Sequence, residues 1–140
     1  MIVVADTGAV LALIDRNDRH HEALKRALER PATRWVLPWA VLPEVDYLVA
    51  KELGAKVHDA WLTDLGDGLW DVEPMADTDL PLAEHWHKRY KALRMGLVDA
   101  VVAVVADRLR ADVIATLDLK HFGAVSLPGA PLLWPRDLDS

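Results

Sequence analysis

MIVVADTGAVLALI, residues 1–14, decides the fold. Ile2 to Ala5 is a short, β-branched apolar run, the pattern of a buried strand. Thr7 to Ile14 reads as a helix, and Asp6 stands at the joint. Working outward, the same alternation recurs. His20 to Glu29 predicts a second helix, and Trp35 to Leu37 a second strand, stopped by Pro38. A helix then starts between Trp39 and Val41, with Pro43 in its first turn, where proline is tolerated. It ends near Lys51, with Gly54 as its C-terminal stop. Ala55 to Leu65 predicts another helix, Asp67-Gly68 a turn, and Leu69 to Val72 a third strand.

Thr78 or Asp79 can cap the next helix, which carries Pro81 in its first turn. Leu97 to Arg110 is the longest apolar helix, Val113 to Thr116 a strand, and Leu132-Leu133 a last edge strand. Short apolar strands separated by helices imply a three-layer α/β/α sandwich around a central, mainly parallel sheet. At 140 residues the expectation is a single domain, 1–140, with one core.

Composition narrows the function classes. The chain is 52% hydrophobic, enough for a globular core, and has no low-complexity tract. It has no cysteine, which excludes disulfides and thiolate zinc sites. Ile2 to Ala5 is too short for a signal-peptide core, and no stretch approaches a membrane span of roughly 20 residues. The expectation is a cytoplasmic protein with no membrane partner. A net charge of −6 leaves no basic tail for broad electrostatic binding of nucleic acid. It does not exclude a nuclease, because clustered carboxylates at a metal site also make a chain acidic.

Four acids stand at hydrophobic positions far apart: Asp6, Glu44, Asp99 and Asp118. An ionised carboxylate in apolar surroundings is costly unless compensated. Four in one small domain suggest that the fold gathers them around a shared cation. Asp6 and Asp118 follow strands, and active sites of open α/β sheets lie outside the carboxyl ends of strands. Asp6 is equally well explained as the cap of the helix it precedes. Asp99 is the sharpest signal, since it interrupts a helix of Leu, Val and Ala. Glu44 competes with Asp46 on a helix apolar nearly all round. Asp118 has a competing reading as a turn residue opening the segment LKHF. Asp107 and Asp112 lie close to Arg108 and Arg110 and read as solvated.

Among the histidines, only His121 is expected near the carboxylates. His20, His21, His58, His85 and His87 read as surface residues, and no HExxH pair is present. The six tryptophans read chiefly as core or interface. There is no GxxxxGK[ST] loop and no GxSxG elbow. A strand-end aspartate phosphatase would want a second aspartate at position 8, which is Gly8.

The segments VVADTGAVLAL, VLPEVDYLV, MGLVDAVVAVVADRL, IATLDLKHF and LLWP, in that order, give the chain a family resemblance. It resembles the PIN-domain ribonucleases, and within them the VapC toxins of type II toxin–antitoxin pairs. The resemblance implies a parallel sheet between helices. It carries the acidic site onto Asp6, Glu44, Asp99 and Asp118, favouring Glu44 over Asp46, and the neighbouring hydroxyl positions onto Thr7 and Thr116. It implies hydrolysis of RNA, often transfer or ribosomal RNA, and a VapB-like antitoxin and a homodimer as assembly partners. An all-carboxylate set suits Mg²⁺ or Mn²⁺ better than zinc. Asp6 and Asp99 are then the primary ligands, Glu44 positions water or bridges to the metal, and Asp118 completes the site. Arg89, Lys91, Arg94 and Lys120 are the candidates for holding RNA. The competing expectations are a PIN nuclease of RNA processing without a toxin role, a non-catalytic binding module, and a phosphatase-like or receiver-like domain.

Overall fold

The computed structural model describes residues 1–138; positions 139 and 140 of the expected domain lie outside the described residues. In chain order the elements are β1 (Ile2–Ala5), α1 (Thr7–Ile14), α2 (His21–Leu28), β2 (Arg34–Pro38), α3 (Val41–Glu52) and α4 (Ala55–Gly66). There follow β3 (Asp71–Glu73), α5 (Asp79–Arg89), a 3-10 turn (Lys91–Leu93), α6 (Leu97–Arg108), β4 (Val113–Ala115), α7 (Leu119–Phe122) and β5 (Leu132–Trp134).

The strands form one sheet in the order β3-β2-β1-β4-β5, and every pairing is parallel. Val3, Val4 and Ala5 of the central strand are fully buried, as are Val113, Ile114 and Ala115 beside them. That is why these strands read as unbroken apolar runs rather than alternating ones. The order contains a reversal. From β1 the chain steps outward to β2 and β3, then returns across the sheet to β4 and β5. Parallel crossovers are right-handed in nearly all cases. The connections on the two sides of the reversal therefore cover opposite faces. Consistent with this, α1 packs on α2 and α3, and α3 on α4, while α5 packs on α6. The helices of both layers close on one continuous apolar core. The switch point lies between β1 and β4, paired from Val3↔Val113 to Ala5↔Ala115.

Most boundaries shift by a residue, and three of the differences have a clear cause. β2 includes Pro38, which pairs with Glu73. Pro38 stands at the last rung of β2, where the missing N–H costs only the terminal bond of the β1 ladder, and Trp39 N–H continues the pairing on the other side to the Glu73 carbonyl at 3.0 Å. β3 begins two residues later than predicted. Gly68 has φ +74, and Leu69 N–H closes the end of α4 by donating to the Asp64 carbonyl, leaving Leu69 71% exposed. α6 stops at Arg108 because Arg110 turns the chain with φ +52.

Other residues were misread for physical reasons. His21 is buried, its Nδ1 2.8 Å from the Ala12 carbonyl, so it ties α2 to α1. Asp79 is 0% exposed and accepts from Ala76 N–H, Trp39 Nε1 and Arg108. Arg108 pairs with Glu73 and Asp79 rather than with Asp107 or Asp112, while Asp107 and Asp112 are exposed as expected, Asp112 accepting from Ile2 N–H at 2.8 Å. Among the described residues no helix is long and apolar enough to cross a membrane.

Candidate active site

Each of the four acids singled out in the sequence stands at the start of a helix. Asp6 is the N-cap of α1, and Asp118 the N-cap of α7. Glu44 and Asp99 lie in the first turns of α3 and α6. Helix starts carry unpaired N–H groups and the positive end of the dipole, so they favour carboxylates. The capping role of Asp6 and its place at the sheet edge are thus the same fact.

The switch point brings Asp6 and Asp118 together through Thr116. Asp6 is 5% exposed. Its Oδ1 accepts from Thr7 N–H at 2.8 Å, and its Oδ2 accepts from the Thr116 hydroxyl at 2.9 Å. Thr116, fully buried at the end of β4, accepts in turn from Asp118 N–H at 2.9 Å. The ladder fixes the distance between the ends of β1 and β4, and one hydroxyl links the two acids that follow them.

Asp99, Asp118 and His121 place ligand atoms within 4.8 Å of one another. His121 Nδ1 lies 2.6 Å from Asp118 Oδ2 and 3.1 Å from Asp99 Oδ2. Its Nε2 lies 2.7 Å from the Leu93 carbonyl. A carbonyl only accepts, so Nε2 donates. Nδ1, facing ionised carboxylates, donates as well. Both nitrogens are engaged, and the ring stands between the two carboxyl groups. The Asp118 hydrogen bond accordingly holds His121 above the ordinary imidazole value. His121 was expected near the carboxylates; the structure places it between two of them.

The acids repel one another. Burial first, then Asp99 and Asp118, push the Asp6 carboxyl up to about 6, against the lowering effect of its two hydrogen bonds. Asp99 is also raised, by burial and then by Asp118 and Glu44, with His121 opposing. Glu44 itself is exposed and lies outside the tight group, meeting it through the field at Asp99. Its rival Asp46 is engaged elsewhere, with His58 at 2.7 Å across α3 and α4.

This is a site short of positive charge. Its donors are carboxylate oxygens and hydroxyls, the ligands that hard divalent cations take. The buried Thr7 Oγ1 has no hydrogen-bond partner among the described residues and is a spare oxygen at the edge of the cluster. His121, with both nitrogens committed, is a neighbour of such an ion rather than a free ligand. The residues present fit a hard divalent cation.

The chain is similar to known proteins over most of its length. The family model for the PIN domain matches residues 3–126. Ribonuclease VapC26 of Mycobacterium tuberculosis (strain ATCC 25618 / H37Rv) is 33% identical over 123 residues, which span 88% of this chain and 91% of that protein. The crystal structure of Mycobacterium tuberculosis VapC20, a sarcin-ricin loop cleaving toxin, matches with a TM-score of 0.77 at 21% identity, over 92% of this chain and 98% of that one. VapBC2 from Rickettsia felis, bound to a DNA fragment from their promoter, matches with a TM-score of 0.70 at 18% identity, over 95% and 97% of the two chains.

Proposed function

The chain belongs to the PIN-domain family, and from that premise we propose that it is a VapC-type endoribonuclease, the toxin of a VapBC-type pair, hydrolysing RNA phosphodiester bonds with Mg²⁺ or Mn²⁺. The observation that carries the reading is geometric: Thr116 ties Asp6 to Asp118 at the β1–β4 switch point, and Asp118 and Asp99 hold ligand atoms within 4.8 Å of each other, an arrangement whose repulsion leaves a place for a cation. Asp6 and Asp99 are assigned as its principal ligands and Asp118 as completing the site. Thr7 and Thr116 support the set. A divalent ion held there neutralises charge that builds on the transferred phosphate and makes water a better nucleophile.

The chain's own groups do the rest. The two hydrogen bonds to Asp6 lock its rotamer, so its carboxylate needs no reorganisation as charge develops. Glu44 is exposed at the start of α3, where it orients the attacking water and takes up a proton. The water oxygen bonds to phosphorus as the P–O bond to the leaving ribose oxygen breaks.

Transfer or ribosomal RNA is the substrate class this reading favours, with a VapB-like antitoxin and a second copy of the chain as protein partners. Purified, antitoxin-free protein incubated with total RNA, with and without Mg²⁺ or Mn²⁺, tests it. Discrete metal-dependent ends, absent with Asp99→Asn, are expected. Folded protein that cuts no RNA overturns the reading in favour of a binding module. A nuclease of RNA processing is distinguished by the lack of growth arrest when the chain is expressed without its partner.

A further inference from the structure

Residues 88–94 read KRYKALR, four cations with no acid, in a chain of net charge −6. Lys88 is taken by Glu84 at 2.7 Å. Arg89, Lys91 and Arg94 are exposed and enter no ion pair among the described residues. The Arg89 guanidinium lies over the rings of Trp86 and Tyr90, at 5.8 and 5.4 Å from their centroids. Those rings stack on each other at 5.5 Å with only 9° between their planes. An arginine held beside aromatic rings, with no carboxylate partner, keeps its N–H groups for phosphate oxygens.

The stretch is also tied down. The Tyr90 hydroxyl accepts from Ser126 N–H at 3.1 Å, and His87 Nδ1 meets the Met95 carbonyl at 2.6 Å. The third tie is His121, which donates from Nε2 to the Leu93 carbonyl and from Nδ1 to Asp118. A single imidazole ring separates the backbone of the basic stretch from the acidic cluster. Beyond it Arg94 adopts a left-handed conformation, φ +51 and ψ +42, with its N–H closing on the Lys91 carbonyl. A non-glycine residue held there is unfavourable, and such strain collects at functional positions.

We infer that the stretch Arg89–Arg94 grips the phosphate backbone of single-stranded RNA, and that His121 is the positioning residue that holds it beside the acidic cluster. The inference rests on the ribonuclease reading above and adds the surface that such an acidic chain needs. A phosphate at the cluster has neighbours along its strand that the carboxylates repel, and the adjoining unpaired cations neutralise them.

The test is equilibrium binding of a fluorescein-labelled, random-sequence single-stranded RNA 20-mer, by anisotropy in EDTA across a salt series. Each phosphate contact to a single strand contributes about 0.7 to the slope of log affinity against log salt. Lys91→Ala with Arg94→Ala lowers the slope by about 1.4 and weakens binding about tenfold at low salt. Lys25→Ala with Arg26→Ala, an equal charge loss on α2, leaves the slope in place. The two amides divide the roles of the imidazole. His121→Gln keeps a donor toward Leu93 and retains binding, whereas His121→Asn keeps a donor toward Asp118 alone and weakens it several-fold. An unchanged slope in the Lys91/Arg94 variant overturns the grip. Equal binding by the two His121 variants overturns the positioning role. If metal-dependent cleavage of total RNA persists in either case, the ribonuclease reading stands without the inference. Wild-type protein that neither binds nor cuts RNA overturns both.

Discussion

Replacing Asp6 with asparagine is expected to make the metal-free protein more stable at neutral pH. The Asp6 carboxyl sits at about 6 against an ordinary value of 3.8. Each pKa unit is worth about 1.4 kcal/mol, so ionising it in the folded state costs about 3 kcal/mol above pH 6.5. The sign follows from proton uptake. Between pH 4 and 6 the folded state holds a proton that the unfolded state has released, so stability falls as pH rises through that window. Asparagine removes this penalty. Its Oδ1 still accepts from Thr7 N–H, but its amide faces the Thr116 hydroxyl, which already accepts from Asp118 N–H. The hydroxyl proton loses its acceptor, at a cost of about 1 kcal/mol. The net gain is about 2 kcal/mol at pH 7.5, or about 6 °C in melting temperature for a domain of this size. At pH 4 the gain vanishes or reverses. The assay is thermal unfolding by circular dichroism in EDTA from pH 4 to 8. A variant that melts below wild type at pH 7.5, or a difference independent of pH, refutes the placing of Asp6 in a buried, repulsive cluster.

Other outcomes follow from the same geometry. In wild type, Mg²⁺ at ten times its dissociation constant adds about 1.4 kcal/mol, read as about 4 °C by calorimetry, and Asp99→Asn loses that response; a flat titration sinks the cation site. Glu44→Gln lowers the ribonuclease rate at least about 100-fold, while Asp46→Ala, which breaks a partly exposed pair with His58, leaves the rate within twofold; equal losses would show that Glu44 has no special part. Arg108→Met leaves Asp79 buried without its cation and costs about 3 kcal/mol or more in urea unfolding, with the Mg²⁺ response retained; a loss under 1 kcal/mol would mean that Asp79 is satisfied by its N–H donors alone.

The parallel sheet was legible because its strands are buried on both faces. Val3, Val4 and Ala5 announce this by lacking any polar alternation. β3 was less legible, since an edge strand of three residues is placed by how the preceding helix and turn end rather than by its own pattern. The acidic site shows the limit of arguing from burial. Asp79 is the most deeply buried acid of those discussed, yet Arg108, Trp39 and Ala76 account for it as a structural tether. Glu44 is exposed, and only its helix start and its effect on Asp99 connect it with the cluster. His121 was legible near the carboxylates, as its three-residue spacing to Asp118 across the first turn of α7 allows. Its bond to Leu93, 28 residues away, depends on how α7 docks and is invisible to local pattern.

The order of the acids along the chain has a consequence for biogenesis. Asp6 precedes its partner Thr116 by 110 residues, and β1, in the middle of the sheet, has no neighbour on one side until β4 is made. A ribosome making this chain therefore carries a nascent product whose acidic residues are still dispersed. The cluster is therefore assembled in a single step, when β4 docks beside β1 and carries Thr116 and Asp118 to Asp6.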